Sequence, residues 1–152
     1  MGRGIAIAFA YAGHRISLVD LRPRSVEDWH KLRGEARAEI AASLSGLAQL
    51  GVIDPAQIHM IAARVEFVNA ADAPPALKAA ELVFEGVPET LAAKREAIEQ
   101  LNKHCRDDAI LTSTTSSIPV TQLAAMVRRP ERFLNMHWLN PAYVIPVVEI
   151  SC

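Results

Sequence analysis

Short strand-like segments alternate along this chain with helical ones, and the links between them are only a few residues long. Residues 2–12 are small, apolar and alanine-rich, a helix that Gly13 stops as a glycine beyond a helix C-terminus does. Residues 15–20 (RISLVD) are β-branched and alternating, which predicts a strand. Pro23 and Ser25 open a helical stretch to about Leu50, with Ser25 as N-cap and Asp28 in its first turn. Gly34 and Gly46 are expected to weaken that helix or break it into pieces. Asp54-Pro55 starts a short helix. Residues 65–69 and 81–87 read as strands, with a short, partly helical connector at 73–80 between them. A clear helix follows at 88–105, then a strand at 109–114, a short helix at 119–127, and strands at 133–137 and 144–151. This order predicts a doubly wound α/β fold, a mostly parallel sheet with helices on both faces. Such domains normally open with their central strand. This chain opens with a helix, so the sheet is expected to lack its usual first strand.

A length of 152 residues argues for one domain. With 51% hydrophobic and 22% charged residues, intrinsic disorder is excluded. Sixteen basic residues against 17 acidic leave a net charge of −1, so no basic field exists to gather nucleic acid. No apolar run reaches the roughly 18 residues of a membrane span, and the N-terminus lacks the pattern of a signal peptide. Cys105 and Cys152 form neither a disulfide framework nor a metal pattern. These features predict a chain without metal, in a reducing cytoplasmic setting.

Four groups of residues carry possible chemistry. The first is Gly2 and Gly4 at the start of a helix, with Asp20 at the end of the next strand, 18 residues after Gly2. Glycines there let the backbone approach a pyrophosphate, and the helix N-terminus offers free N–H groups and a positive dipole end. An acid at Asp20 suits ribose hydroxyls and disfavours a 2′-phosphate, so NAD is expected over NADP, although Arg22 and Arg24 stand nearby. The plainer alternative is a helix start and a turn aspartate. The second group is Glu85-Gly86-Val87-Pro88-Glu89 with Lys94. Strand end followed by helix start is where open α/β sheets bind ligands, yet Glu89 in a first helical turn and a surface lysine are also ordinary. The third is the hydroxyl run from Thr112 to Ser117, which could cap a helix or line a polar pocket. The fourth is His137 beside Asn140-Pro141, with Glu149 beyond. A histidine titrates near neutrality and suits proton transfer, and a carboxylate in reach would fix its tautomer. A histidine in a strand can equally be structural.

Together, and in this order, these groups resemble the NAD-binding domain of the L-3-hydroxyacyl-CoA dehydrogenase family. Thr115-Ser116-Ser117-Ile118-Pro119 carries the resemblance, with His137 placed 21 residues after Ser116, then Asn140-Pro141 and Glu149. MGRGIA and AGHRISLVD match that family's first helix and second strand. The resemblance implies a Rossmann-like domain over residues 1–152 that binds NAD and oxidises a 3-hydroxyacyl-CoA in fatty acid metabolism. It implies that Asp20 holds the adenosine ribose and that Gly2 and Gly4 lie in the pyrophosphate turn. Glu89 and Lys94 would sit near the nicotinamide ribose and carboxamide. Ser116 would hydrogen-bond the substrate 3-oxygen, with Asn140 shaping the pocket. His137 would take the hydroxyl proton, oriented by Glu149. The full-length protein would be a homodimer with a small-molecule substrate.

The sequence departs from the family in two ways. Gly2 would be only the third glycine of Gly-x-Gly-x-x-Gly, and the helical C-terminal domain is not present. The 152-residue chain alone is therefore expected to show little turnover. Residues 142–146 (AYVIP) look more like relatives acting on non-CoA hydroxy compounds, such as gulonate dehydrogenase-like proteins. Two alternatives remain open here. One is a truncated, catalytically inactive nucleotide-binding module. The other is a Rossmann oxidoreductase of the 6-phosphogluconate or 3-hydroxyisobutyrate type, which uses a lysine of a later domain.

Overall fold

The computed structural model describes all 152 residues. The elements run α1 (Gly2–Tyr11), β1 (Ile16–Val19), α2 (Val26–Gln49), α3 (Ile58–Ala62), β2 (Val65–Val68), α4 (Ala73–Ala79), β3 (Leu82–Glu85), α5 (Leu91–His104), β4 (Ile110–Ser113), α6 (Val120–Ala124), β5 (Phe133–Trp138) and β6 (Val148–Ser151). Short 3-10 turns precede α3 and β5. The architecture is α/β and Rossmann-like. β1 pairs with β2 in parallel, and β3, β4, β5 and β6 form a second sheet in that order. Pairing is parallel from β3 to β5 and antiparallel at β6. The two sheets are not hydrogen-bonded to each other, so β1 and β3 each keep one unpaired edge. These two free edges agree with the expectation that the sheet lacks its usual first strand.

Helix α1 lies across both sheets. Its Gly2 faces Leu18 of β1, and its Phe9 ring stands 5.2 Å from Phe84 of β3 and 6.1 Å from Trp138 of β5. On this side Ile7 and Ala10 of α1 pack with Ile40, Leu44 and Leu47 of α2. A second core holds Leu77 of α4, Ile98 and Leu101 of α5, Leu111 of β4, Leu123 of α6 and Phe133 of β5. Val19 and Val83 border that second core together, which ties the two sheets to one interior. Side chains alternate across a strand, so the face bearing Val83, Leu111 and Phe133 also bears Glu85, Ser113, Asn135 and His137.

Local sequence explains most of these elements. Gly13 adopts φ +101°, the left-handed conformation that closes α1 at least cost for glycine. The Ser25 hydroxyl accepts the Asp28 amide at 3.1 Å and caps α2. That helix runs unbroken for 24 residues, contrary to the expected interruption at Gly34 and Gly46. A Cβ at either glycine would meet nothing within 4 Å. The buried stripe of Ala36, Ile40, Leu44 and Leu47 holds the helix together across two unfavourable positions. No helix is long and apolar enough to cross a membrane.

Candidate active site

Strands β3, β4 and β5 are parallel, so their C-terminal ends open on one edge of the sheet. The residues singled out from sequence gather there. At the start of α1, Met1 makes no side-chain cap; the Gly4 amide donates to the Met1 carbonyl at 2.9 Å, and the Gly2 and Arg3 amides have no backbone partner. A Cβ at Gly86 would lie 3.5 Å from the Gly2 nitrogen, so the loop after β3 meets the helix start backbone to backbone. Gly4 faces elsewhere: a Cβ there would lie 3.4 Å from the Ala142 Cβ. Its lack of a side chain lets the loop after β5 close over α1. Asp20 stands one residue past β1. Its carboxylate accepts the Arg22 amide at 3.2 Å and pairs with the Arg24 guanidinium. That hydrogen bond and the Asp20 charge raise the Arg24 pKa. Arg24 is thus committed to the aspartate.

A buried charge cluster lies at the ends of β3 and β4. Lys94 is 0% exposed, so it is not the surface lysine of the plainer reading. Its Nζ donates to Glu85 Oε1 at 3.0 Å and stands 3.4 Å from Glu89 Oε2. Glu85, also buried, accepts the Val87 amide and the Ser113 hydroxyl, each at 2.7 Å. α5 begins at Leu91 with Thr90 as N-cap, so Glu89 lies ahead of the helix rather than in its first turn. Pro88 suggested the earlier start, but the Thr90 hydroxyl takes the Ala93 amide and sets the boundary. Glu89 is then free to reach the loop after β4. Its Oε1 accepts the Ser116 amide at 2.9 Å, the Ser117 amide and hydroxyl at 3.0 Å each, and the Thr115 hydroxyl at 2.5 Å. Partial burial, the largest single influence on this carboxyl, works against its ionisation. The bonds from Thr115, Ser117 and Ser116 together outweigh it and lower the pKa to about 2. The hydroxyl run is therefore divided: Thr112 and Ser113 are buried in the sheet, and Ser116 is exposed on a loop stapled by Glu89.

His137 and Glu149 are cross-strand partners on β5 and β6. His137 Nδ1 lies 2.7 Å from Glu149 Oε2. The histidine side chain is 26% exposed and the glutamate 70%. The link between the strands carries Asn140, which is exposed, and Tyr143, whose hydroxyl donates to Ser43 Oγ of α2 at 3.0 Å. Asn135, two residues before His137 on the same face, has a buried Oδ1 without a protein partner. Sequence reasoning singled out Glu85 with the second group but gave it no role. Its signal was a charged side chain on the inward face of the strand LVFE. A cleft of about 510 Å³ at the other end of α5, lined by Lys78, Lys103 and Arg128 among others, contains none of these residues.

The sequence profile of the 3-hydroxyacyl-CoA dehydrogenase NAD-binding domain matches residues 1–152. The chain belongs to this family. NAD is the cofactor of the domain, and the residues present fit it. A Cβ at Gly86 would cover the Gly2 amide at the helix start, and Asp20 stands at the end of β1. Among relatives, the chain is 32% identical over 150 residues to 5-formyl-3-hydroxy-2-methylpyridine 4-carboxylate 5-dehydrogenase of Mesorhizobium japonicum, covering 99% of this chain and 45% of that protein. It is 31% identical to a probable 3-hydroxybutyryl-CoA dehydrogenase of Bacillus subtilis, covering 99% and 49%. The crystal structure of 3-hydroxybutyryl-CoA dehydrogenase from Escherichia coli K12 superposes with a TM-score of 0.83 at 34% identity, covering 99% and 30%. The chain spans half or less of the length of these three proteins.

Proposed function

We propose that the full-length protein is an NAD-dependent oxidoreductase that converts a 3-hydroxyacyl-CoA to the 3-oxo compound, with His137 as general base. The observation that carries this reading is the 2.7 Å pair of His137 and Glu149 at the exposed strand ends. An ionised carboxylate can only accept, so the ring nitrogen facing Glu149 carries the hydrogen. The other ring nitrogen is left with a lone pair, the form a general base needs. As His137 takes the hydroxyl proton, Glu149 stabilises the imidazolium that results. NAD, when bound, supplies the hydride acceptor for C3 of the substrate. Ser116, exposed on its stapled loop, donates to the substrate 3-oxygen, and Asn140 shapes the adjoining wall. Gly2 allows close approach of a pyrophosphate at the start of α1, Gly4 instead admits the loop after β5 against that helix, and Asp20 takes ribose hydroxyls. Glu89 faces the nicotinamide ribose. Lys94 serves from beneath by holding Glu89, since its own ammonium is covered. A homodimer in the full-length protein belongs to the same proposal.

A second substrate reading has support of its own. Identity to the pyridine-carboxylate dehydrogenase, 32%, matches that to the B. subtilis protein, 31%. A hydroxy compound without CoA is therefore the alternative. NAD reduction by the full-length protein, followed by absorbance, separates the two. The expected result is turnover of 3-hydroxybutyryl-CoA with a kcat/KM well above that of free hydroxy acids. A reversed preference would transfer the assignment to the second reading. No NAD reduction with any 3-hydroxy compound would end both.

A further inference from the structure

We infer that Glu85 is a positioning residue that sets the place of the Ser116 loop by dividing the charge of Lys94. The fixed part of the cluster is Glu85 itself. The Val87 amide and the Ser113 hydroxyl hold its two oxygens at 2.7 Å, and Lys94 stands at 3.0 Å. The adjustable part is Glu89, with one oxygen 3.4 Å from Lys94 and the other accepting four donors from Thr115, Ser116 and Ser117. Lys94 is fully covered, so no water shares its charge. In so dry a site an ammonium is drawn strongly to whichever carboxylate faces it. Glu85 takes the nearer share. The attraction left for Glu89 is weak enough that its other oxygen stays with the loop. A neutral side chain at 85 turns the whole Lys94 charge on Glu89, and the carboxylate closes on the ammonium and leaves the loop donors. Ser116, whose amide is one of those donors, then loses its anchor.

The inference rests on the proposed dehydrogenase reading only for what Ser116 does to substrate, not for the loop itself. Residue-resolved hydrogen exchange and steady-state kinetics on the full-length protein test it. Glu85→Gln is expected to speed exchange at the Ser116 and Ser117 amides by about tenfold or more, the scale of a lost charge-assisted hydrogen bond. Amides of α2 should stay at wild-type rates, which a general loss of stability would not allow. kcat should fall while the KM for the hydroxy substrate changes less. The double variant Glu85→Gln/Lys94→Met, which removes both buried charges, should return loop exchange most of the way to wild type. Unchanged loop exchange in Glu85→Gln, or a double variant as loose as the single, overturns the inference. If Glu85→Gln does not fold, Glu85→Asp, whose shorter side chain draws the carboxylate back from Lys94, should loosen the same two amides by a smaller factor. Unmoved amides there overturn it equally. A loop loosened by Glu85→Gln in a protein whose wild type shows no NAD-dependent activity would sink the dehydrogenase reading and leave this inference standing. An active wild type with an unmoved loop would do the reverse.

Discussion

Two polar pairs share one face of the second sheet, and they are built in opposite ways. Lys94 and Glu85 are buried, 0% and 2% exposed at the side chain, with every oxygen of Glu85 engaged. His137 and Glu149 are 26% and 70% exposed, joined by a single 2.7 Å contact. A buried pair resists movement because neither charge tolerates losing its partner. An exposed pair contributes little to stability and keeps one ring nitrogen open to whatever enters the site. The difference teaches a division of work. In the proposed mechanism the buried cluster holds a loop in place, and the exposed dyad moves a proton.

Removing Lys94 should produce the largest stability effect. Lys94→Met leaves Glu85 charged, buried and unpaired, which costs about 3–5 kcal/mol, and the urea midpoint of the full-length protein would show it. Glu149→Gln should do the reverse, leaving the midpoint nearly unchanged while kcat falls by about 10–100-fold, the scale of a lost charge-assisted hydrogen bond. If the two variants exchanged these signatures, the division would be broken.

Acid sharpens the comparison. The folded pKa of Glu89 is lowered to about 2, against about 4.3 for an ordinary glutamate. A depressed carboxyl stabilises fully above its unfolded pKa, and the contribution is lost as pH falls through the folded value. The Ser116 and Ser117 amide resonances should therefore hold their positions at pH 4 and move only as pH approaches 2. Movement centred near pH 4 would show that the staple does not hold the carboxylate ionised. The smallest effect is expected at the clasp of the dyad's own loop. Tyr143→Phe removes one bond to Ser43 and should cost about 1 kcal/mol, read from the thermal midpoint, with kcat nearly unchanged.

Much of the frame was legible in the sequence. Gly13, the Ser25 cap and the strand RISLVD carry local signals, and local signals survive folding. The pairing of His137 with Glu149 was an expectation of the family resemblance, and cross-strand register puts their side chains in contact. Three features needed the third dimension. The continuity of α2 through Gly34 and Gly46 comes from tertiary packing of its buried stripe. The start of α5 turned on a contest between Pro88 and Thr90 that propensity alone does not decide. Burial of Lys94 depends on Glu85 and Glu89 converging from outside the helix, which no periodicity along α5 reveals.

The most direct measurement is kcat of the His137→Gln full-length protein with 3-hydroxybutyryl-CoA, taken beside its NAD dissociation constant. Loss of a general base predicts a fall of about 10²–10⁴, with NAD binding within a few-fold of wild type. A variant that turns over at the wild-type rate while binding NAD normally would contradict the assignment of the imidazole as the base.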